Sequence, residues 1–475
     1  MFSPIIYRRR RARLARILGE GLVVLGGHPR QPLNLPMNLS PARQSSHVLY
    51  LTGLKEPDSA MLLRLETGRL ELFGPPEDPE DEIWHGPRRS FGETAERLGA
   101  DAAYPKTELE SRIAHHRSSG PLLTLPSADP GWRERMAHLG VSVPDFGKLP
   151  RDAASPLADA MVQLRSIHGE EEVVEMKRAA QVTARAFQVL MEATRVGAHE
   201  AQLRALLEGV YRAAGARPSF DPIVTIRGEV LHCETNPYRL EDNDLLLVDS
   251  GAESEEGYAA DVTRTWPVRG RFDPRQRAVY EVVLEAETRC IAEVRAGADY
   301  LDIHMLAART IAEGLKELGI LRGTLDDIVD NDAHALFFPH GVGHLIGLDV
   351  HDIEDLGDRA GYAPDRGRST RFGLAALRLN RRLEPGMAVT IEPGIYFIPG
   401  ILHNAEFRNR YREWVDFDRA ETYVGFGGIR IEDDVLVTEH GPEVLTEAIP
   451  KRVEDLEAII GRAPDRLGAL ADFQP

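Results

Sequence analysis

The sequence predicts an α+β protein in two parts: a smaller N-terminal α/β domain over residues 1–150 and a larger C-terminal domain over residues 169–475. Three observations predict it. Strand-like and helical patterns alternate through the first part. The stretch KLPRDAASPLADAM, rich in Pro, Ser and Asp, reads as a linker placed at 151–168. Beyond it, long helical patterns carry no obvious chemistry, while the strands between and after them carry the acids.

The elements follow in order. IIYRRRRARLARILGEGLVVLGG reads as an exposed basic helix leading into a strand over Gly21–Gly27. Its apolar run is broken by Glu20 and no clear cleavage site follows, so it is not read as a targeting segment. Ser59–Leu65, Leu70–Phe73 and Pro121–Leu125 read as further strands, Phe91–Leu98 and Gly131–Leu139 as helices. In the second part, Val173, Met176, Ala180 and Phe187 recur near the helical period, and Gly197 is a natural stop. Ala201–Ala214, Pro274–Arg295 and Asp302–Leu318 are three more helices. Leu245–Ser250, Asp261–Trp266, Ala388–Ile391, Tyr396–Ile398 and Ile429–Thr438 read as strands, forming a curved antiparallel sheet covered by helices on one side. The helix–helix–strand order occurs twice, which points to an internal duplication.

A net charge of −18 argues against nucleic acid as a partner. No apolar run reaches the ~18 residues of a membrane span. Cys233 and Cys290 make no disulfide framework and fit a reducing compartment, so the expected address is the cytoplasm.

Asp249, Asp261, His344, Glu392 and Glu432 stand out as a dispersed set assembled by folding. Asp249 ends the apolar run LLLV, and Asp261 lies across a polar turn on the facing strand, so the two acids can converge. HGVGH supplies His340 and His344, with His351 close behind, and its glycines let the backbone approach an ion or substrate. Glu392 ends an apolar strand before Pro-Gly. In IRIEDD, alternation places Arg430 and Glu432 on one strand face, while Asp433 and Asp434 read as a polar continuation. Four carboxylates and one imidazole are too many for a structural Zn²⁺ and suit two hard divalent ions that share carboxylates and activate water.

Together these segments resemble the proline-specific peptidases of the pita-bread metallopeptidase family, aminopeptidase P and prolidase. The likeness covers nearly the whole chain. YRRRRARLARIL, YLTGLKEPDSAML and EDEIWHGPR resemble the family's N-terminal domain, and the rest resembles its creatinase/aminopeptidase-like catalytic domain. The resemblance implies that Asp249, Asp261, His344, Glu392 and Glu432 hold two divalent ions, usually Mn²⁺, with Zn²⁺ or Co²⁺ as alternatives. It implies that Asp261 and Glu432 bridge them, that Glu392 is also the general base, and that His351 stabilises the oxyanion. His232 and His340 would hold substrate or relay protons. Trp84 matches a tryptophan that reaches a neighbouring subunit's site, which implies a homo-oligomer, a dimer or tetramer. The chain departs from the pattern in three places. Asp249 and Asp261 stand one residue further apart than usual, TIRGEVLHC is shorter, and Phe220 stands where a tyrosine is expected.

The expected activity is hydrolysis of the N-terminal Xaa-Pro bond of peptides. Arg378 matches an arginine that binds a free carboxylate after proline in prolidases, so Xaa-Pro dipeptidase activity is the alternative. A third possibility is a binding protein that keeps the fold without catalysis; the presence of all the ligand positions argues against it.

Overall fold

Apolar runs in the first part pair into one sheet, and the helices between them cover it. The computed structural model describes residues 2–35, 37–76 and 80–470. Contacts divide the chain into two units, Met1–Ser166 with Ile353–Ala360, and Ile167–Asp352 with Gly361–Pro475. The first unit runs α1 (Pro4–Leu18), β1 (Leu22–Gly26), α2 (Ser46–Thr52), β2 (Ala60–Arg64), β3 (Leu70–Gly74), α3 (Asp81–His85) and α4 (Phe91–Arg97). It continues β4 (Ala102–Pro105), α5 (Leu109–His115), β5 (Leu122–Leu123), α6 (Pro130–His138) and α7 (Pro156–Arg165). The sheet order is β4-β3-β2-β1-β5, with β1 and β3 each antiparallel to β2 and the outer strands parallel to their neighbours. Leu22, Val24, Leu62 and Phe73 from the sheet pack with Ile113, Trp132 and Met136 from the helices.

Two sequence expectations change here. The basic helix α1 is not simply exposed, because Tyr7, Arg10, Arg11 and Leu14 are buried. Arg10 and Arg11 donate to Tyr50 O at 3.0 Å and Leu51 O at 2.8 Å, satisfying carbonyls at the end of α2 and offsetting part of the cost of burying these charges. The expected linker contains α7, whose Leu157, Met161 and Leu164 are buried in the first unit. Pro156 starts this helix: proline's missing N–H costs nothing in a first turn, so linker-like composition doubled as a helix start.

The second unit carries the catalytic candidates. It contains α8 (Glu170–Ala193), α9 (Glu200–Ala213), β6 (Arg217–Pro218), β7 (Ile223–Thr225), β8 (Leu245–Ser250), β9 (Ala252–Glu253) and β10 (Val262–Pro267). Then come α10 (Pro274–Glu293), α11 (Tyr300–Glu317), β11 (Ala388–Ile391), β12 (Gly394–Tyr396), β13 (Gly428–Arg430), β14 (Asp433–Thr438) and β15 (Gly441–Val444). The duplication hinted at by the sequence is visible: α8 and α9 precede the antiparallel sheet β10-β8-β7, and α10 and α11 precede β11-β14-β15. The single strand expected over Ile429–Thr438 is two, β13 pairing with β12 and β14 with β11, with the break at Ile431 and Glu432.

Candidate active site

Strand register brings the acids together. Asp249 pairs with Thr263 across β8 and β10, and Asp261, two residues before Thr263, falls on the same face. The extra residue between the aspartates is absorbed in the turn, since Ser250 still pairs with Val262 and Ala260 N donates to Ala252 O at 3.0 Å. Gly251 makes this crossing possible: a Cβ there would lie 1.6 Å from Ala260 O. His344 is laid against β11 by its N–H to Thr390 Oγ1 at 3.1 Å and its carbonyl accepting from Thr390 N at 2.9 Å. Gly343 permits that approach, at φ +155° with room for no Cβ beside Thr390 O. Glu392 follows β11, its N–H held by Val342 O at 2.8 Å. Glu432 occupies the break between β13 and β14, with its N–H on Thr263 O at 3.0 Å and its carbonyl accepting from Arg264 Nη1 at 2.6 Å.

Ligand atoms of Asp261, His344 and Glu432 all lie within 4.8 Å of one another, and all three residues are buried. Glu392 Oε1 is 3.8 Å from His344 Nε2, and Asp261 Oδ2 is 3.5 Å from it. His344 gives its Nδ1 proton to Leu345 O at 2.9 Å, which turns the Nε2 lone pair toward those carboxylates. Burial, then the charge of Asp249, pushes Asp261 well above the usual carboxylate range. Burial, then Asp261 and Glu392, does the same to Glu432. Burial raises Glu392 to about 7 against the pull of His344 and Arg430. Asp249 Oδ2 accepts from Arg430 Nη2 at 2.5 Å, while Asp249 Oδ1 and Asp261 Oδ1 are buried with no hydrogen-bond partner. Clustered acids, an imidazole lone pair and orphaned carboxylate oxygens are a donor set that fits a divalent metal ion.

Around this cluster, Arg430 Nη1 donates to the Tyr396 hydroxyl at 3.1 Å, and that hydroxyl meets His340 Nε2 at 2.8 Å. An arginine cannot accept, so Tyr396 donates to Nε2 and the His340 proton sits on Nδ1, facing Gly341 O at 2.8 Å. Burial, then Arg430, pushes His340 down to about 3. The His351 ring stands edge-on to His344, centroids 4.5 Å apart, and its Nε2 accepts from Arg378 Nη1 at 2.6 Å. Burial, then His344 and Arg378, pushes His351 down to about 2, so it is a neutral imidazole at neutral pH. His232 is exposed on its loop. Trp84 lies on α3 of the first unit and is 66% exposed.

The sequence reading did not single out Tyr396, Thr263 or Thr390. Alternation held a signal for Thr263 alone, two residues beyond Asp261 and paired with Asp249; Tyr396 lies on β12, past the break after β11 that holds Glu392. Asp433 and Asp434 are not a solvated continuation, being 0% and 1% exposed. Asp433 binds Arg264 and Lys451, and Asp434 accepts the Asp261 N–H at 3.0 Å.

A buried carboxylate–imidazole site suited to a divalent ion, on paired antiparallel sheets backed by helix pairs, defines a metallohydrolase. The model of metallopeptidase family M24 matches residues 174–439, and the model of the aminopeptidase P N-terminal domain matches residues 7–121. A probable Xaa-Pro aminopeptidase of Aspergillus fumigatus is 34% identical over 431 residues, 88% of each chain. The Pseudomonas aeruginosa aminopeptidase PepP structure is 31% identical with a TM-score of 0.78, over 99% of both chains. Escherichia coli aminopeptidase P, solved with the inhibitor Pro-Leu, is 28% identical with a TM-score of 0.77 over 100% of both. The chain belongs to metallopeptidase family M24, with the pita-bread fold of aminopeptidase P.

Proposed function

We propose that this protein is an Xaa-Pro aminopeptidase that works with two divalent ions, Mn²⁺ foremost, held by Asp249, Asp261, His344, Glu392 and Glu432. The convergence of Asp261, His344 and Glu432 within 4.8 Å, in a chain of this family, is the observation that carries the reading. Bound there, the ions would supply Lewis acidity, polarising the scissile carbonyl and making water acidic enough to attack it. The protein's own groups do the rest. Glu392, beside His344 at the edge of the cluster, is placed to take a proton from water and pass it on. Neutral His351 offers a hydrogen bond to the oxyanion that develops on the carbonyl, exposed His232 is placed to hold the peptide, and His340 is itself held by Tyr396 and Gly341 O. The Pro-Leu inhibitor of the E. coli enzyme supports a proline-containing peptide as substrate.

Prolidase is the second reading, favoured by one observation: Arg378 lies on His351 at 2.6 Å instead of projecting as an idle charge in its arginine-rich loop. A homo-oligomer, dimer or tetramer, is supported by the exposure of Trp84, and a cytoplasmic address by two buried cysteines that are both free. Among the described residues no helix is long and apolar enough to cross a membrane. The test offers Xaa-Pro-Yaa, Xaa-Pro and Xaa-Ala-Yaa peptides side by side with Mn²⁺. Cleavage of the proline tripeptide, with little of the dipeptide or the alanine peptide, is expected. Preference for the dipeptide, abolished by Arg378→Ala, assigns prolidase instead.

A further inference from the structure

Arg430 reaches the metal-ligand cluster by a second route. Its Nε donates to Thr263 Oγ1 at 2.9 Å, and Thr263 Oγ1 lies 2.7 Å from Glu432 Oε2. The guanidinium can only donate, so it takes a lone pair of the hydroxyl, and the single hydroxyl hydrogen goes to Glu432. Thr263 is fully buried, so neither bond competes with water. The same residue accepts the Glu432 N–H on its carbonyl at 3.0 Å. One threonine therefore holds Glu432 by its main chain and by one carboxylate oxygen, at the break between β13 and β14 where no ladder partner exists to hold it.

We propose that Thr263 is a positioning residue for Glu432: its hydroxyl, polarised by Arg430, sets the plane in which that carboxylate meets Asp261 and His344. The inference rests on the metal reading above. It separates Thr263 from a strand residue that merely packs. A packing role resides in the methyl group, so Thr263→Ser is the harmful change. A positioning role resides in the hydroxyl, so Thr263→Val is harmful and Thr263→Ser is tolerated.

The test is calorimetric titration of MnCl₂ into the metal-free full-length protein and both variants, with circular dichroism to verify folding. Thr263→Val is expected to weaken Mn²⁺ binding about 10-fold or more while Thr263→Ser stays within about 3-fold of the parent, the scale on which groups that orient metal ligands act. Should Thr263→Val fail to fold, Thr263→Cys, whose thiol is a weak donor, takes its place with the same expectation. Unchanged affinity in the hydroxyl-less variant, or a weaker Thr263→Ser, overturns the inference alone. A parent that takes up no Mn²⁺ overturns the metal reading and the inference with it.

Discussion

His304 and His334 lie buried in the second unit, 0% and 1% exposed, and neither is a candidate metal ligand. His304 meets Gly373 O at 3.2 Å through Nε2. Burial pushes both imidazoles down to about 4. An unfolded histidine takes a proton near pH 6.5, so between pH 6.5 and about 4 the unfolded chain binds more protons than the native one. Stability therefore rises with pH across that window, and each histidine removes up to roughly 3 kcal/mol as the pH falls through it. His334→Gln should flatten the change in urea midpoint between pH 7 and pH 4.5 relative to the parent. An equal slope in both proteins would show that His334 does not stay neutral. At the same scale, Asp433 marks where sequence reading stopped. Burial would raise this acid, but Arg264 and Lys451 overcome that and hold it low, while burial and Asp433 push its neighbour Glu287 up to about 8. Arg264 is 169 positions from Asp433, and no local pattern announces such a partner.

Between residues and the whole stand the strands, and here legibility was uneven. Long periodic helices and apolar strands such as β8 and β11 were readable, because burial on one face leaves a period in the sequence. The break at Ile431 and Glu432 was not, because alternation runs straight through it. Only the pairing of β13 with β12 and of β14 with β11 reveals two strands. The hairpin carrying Asp249 and Asp261 gives this scale its prediction. Gly251→Ala places a Cβ against backbone, 1.6 Å from Ala260 O, where neither strand can yield without losing register. The variant should lose about 2 kcal/mol or more in urea unfolding of the metal-free protein. It should also bind Mn²⁺ more weakly, because both aspartates ride on that hairpin. Parent-like stability would show that the turn relaxes freely and that its length does not matter.

At the scale of the molecule, the candidate ligands run from Asp249 to Glu432, and their order in the chain, more than any one motif, made the site readable before its geometry was known. What the order could not convey is how each ligand is held. Thr390 fixes His344, Val342 fixes Glu392, and Thr263 with Arg264 fixes Glu432, all by contacts between segments far apart in sequence. Nor did composition reveal that the stretch expected to be a linker holds a helix of the first unit, or that Ile353–Ala360, directly after His351 and Asp352, belongs to that unit. On the proposed reading, this assembled cluster binds the divalent ions on which proline-directed hydrolysis depends. Titrating Mn²⁺ into metal-free parent and Glu392→Gln protein, while following cleavage of an Xaa-Pro-Yaa peptide, tests it most directly. The parent should rise from background to a plateau, with Glu392→Gln at least about 100-fold slower. Full cleavage without metal, or equal rates in the two proteins, would contradict it.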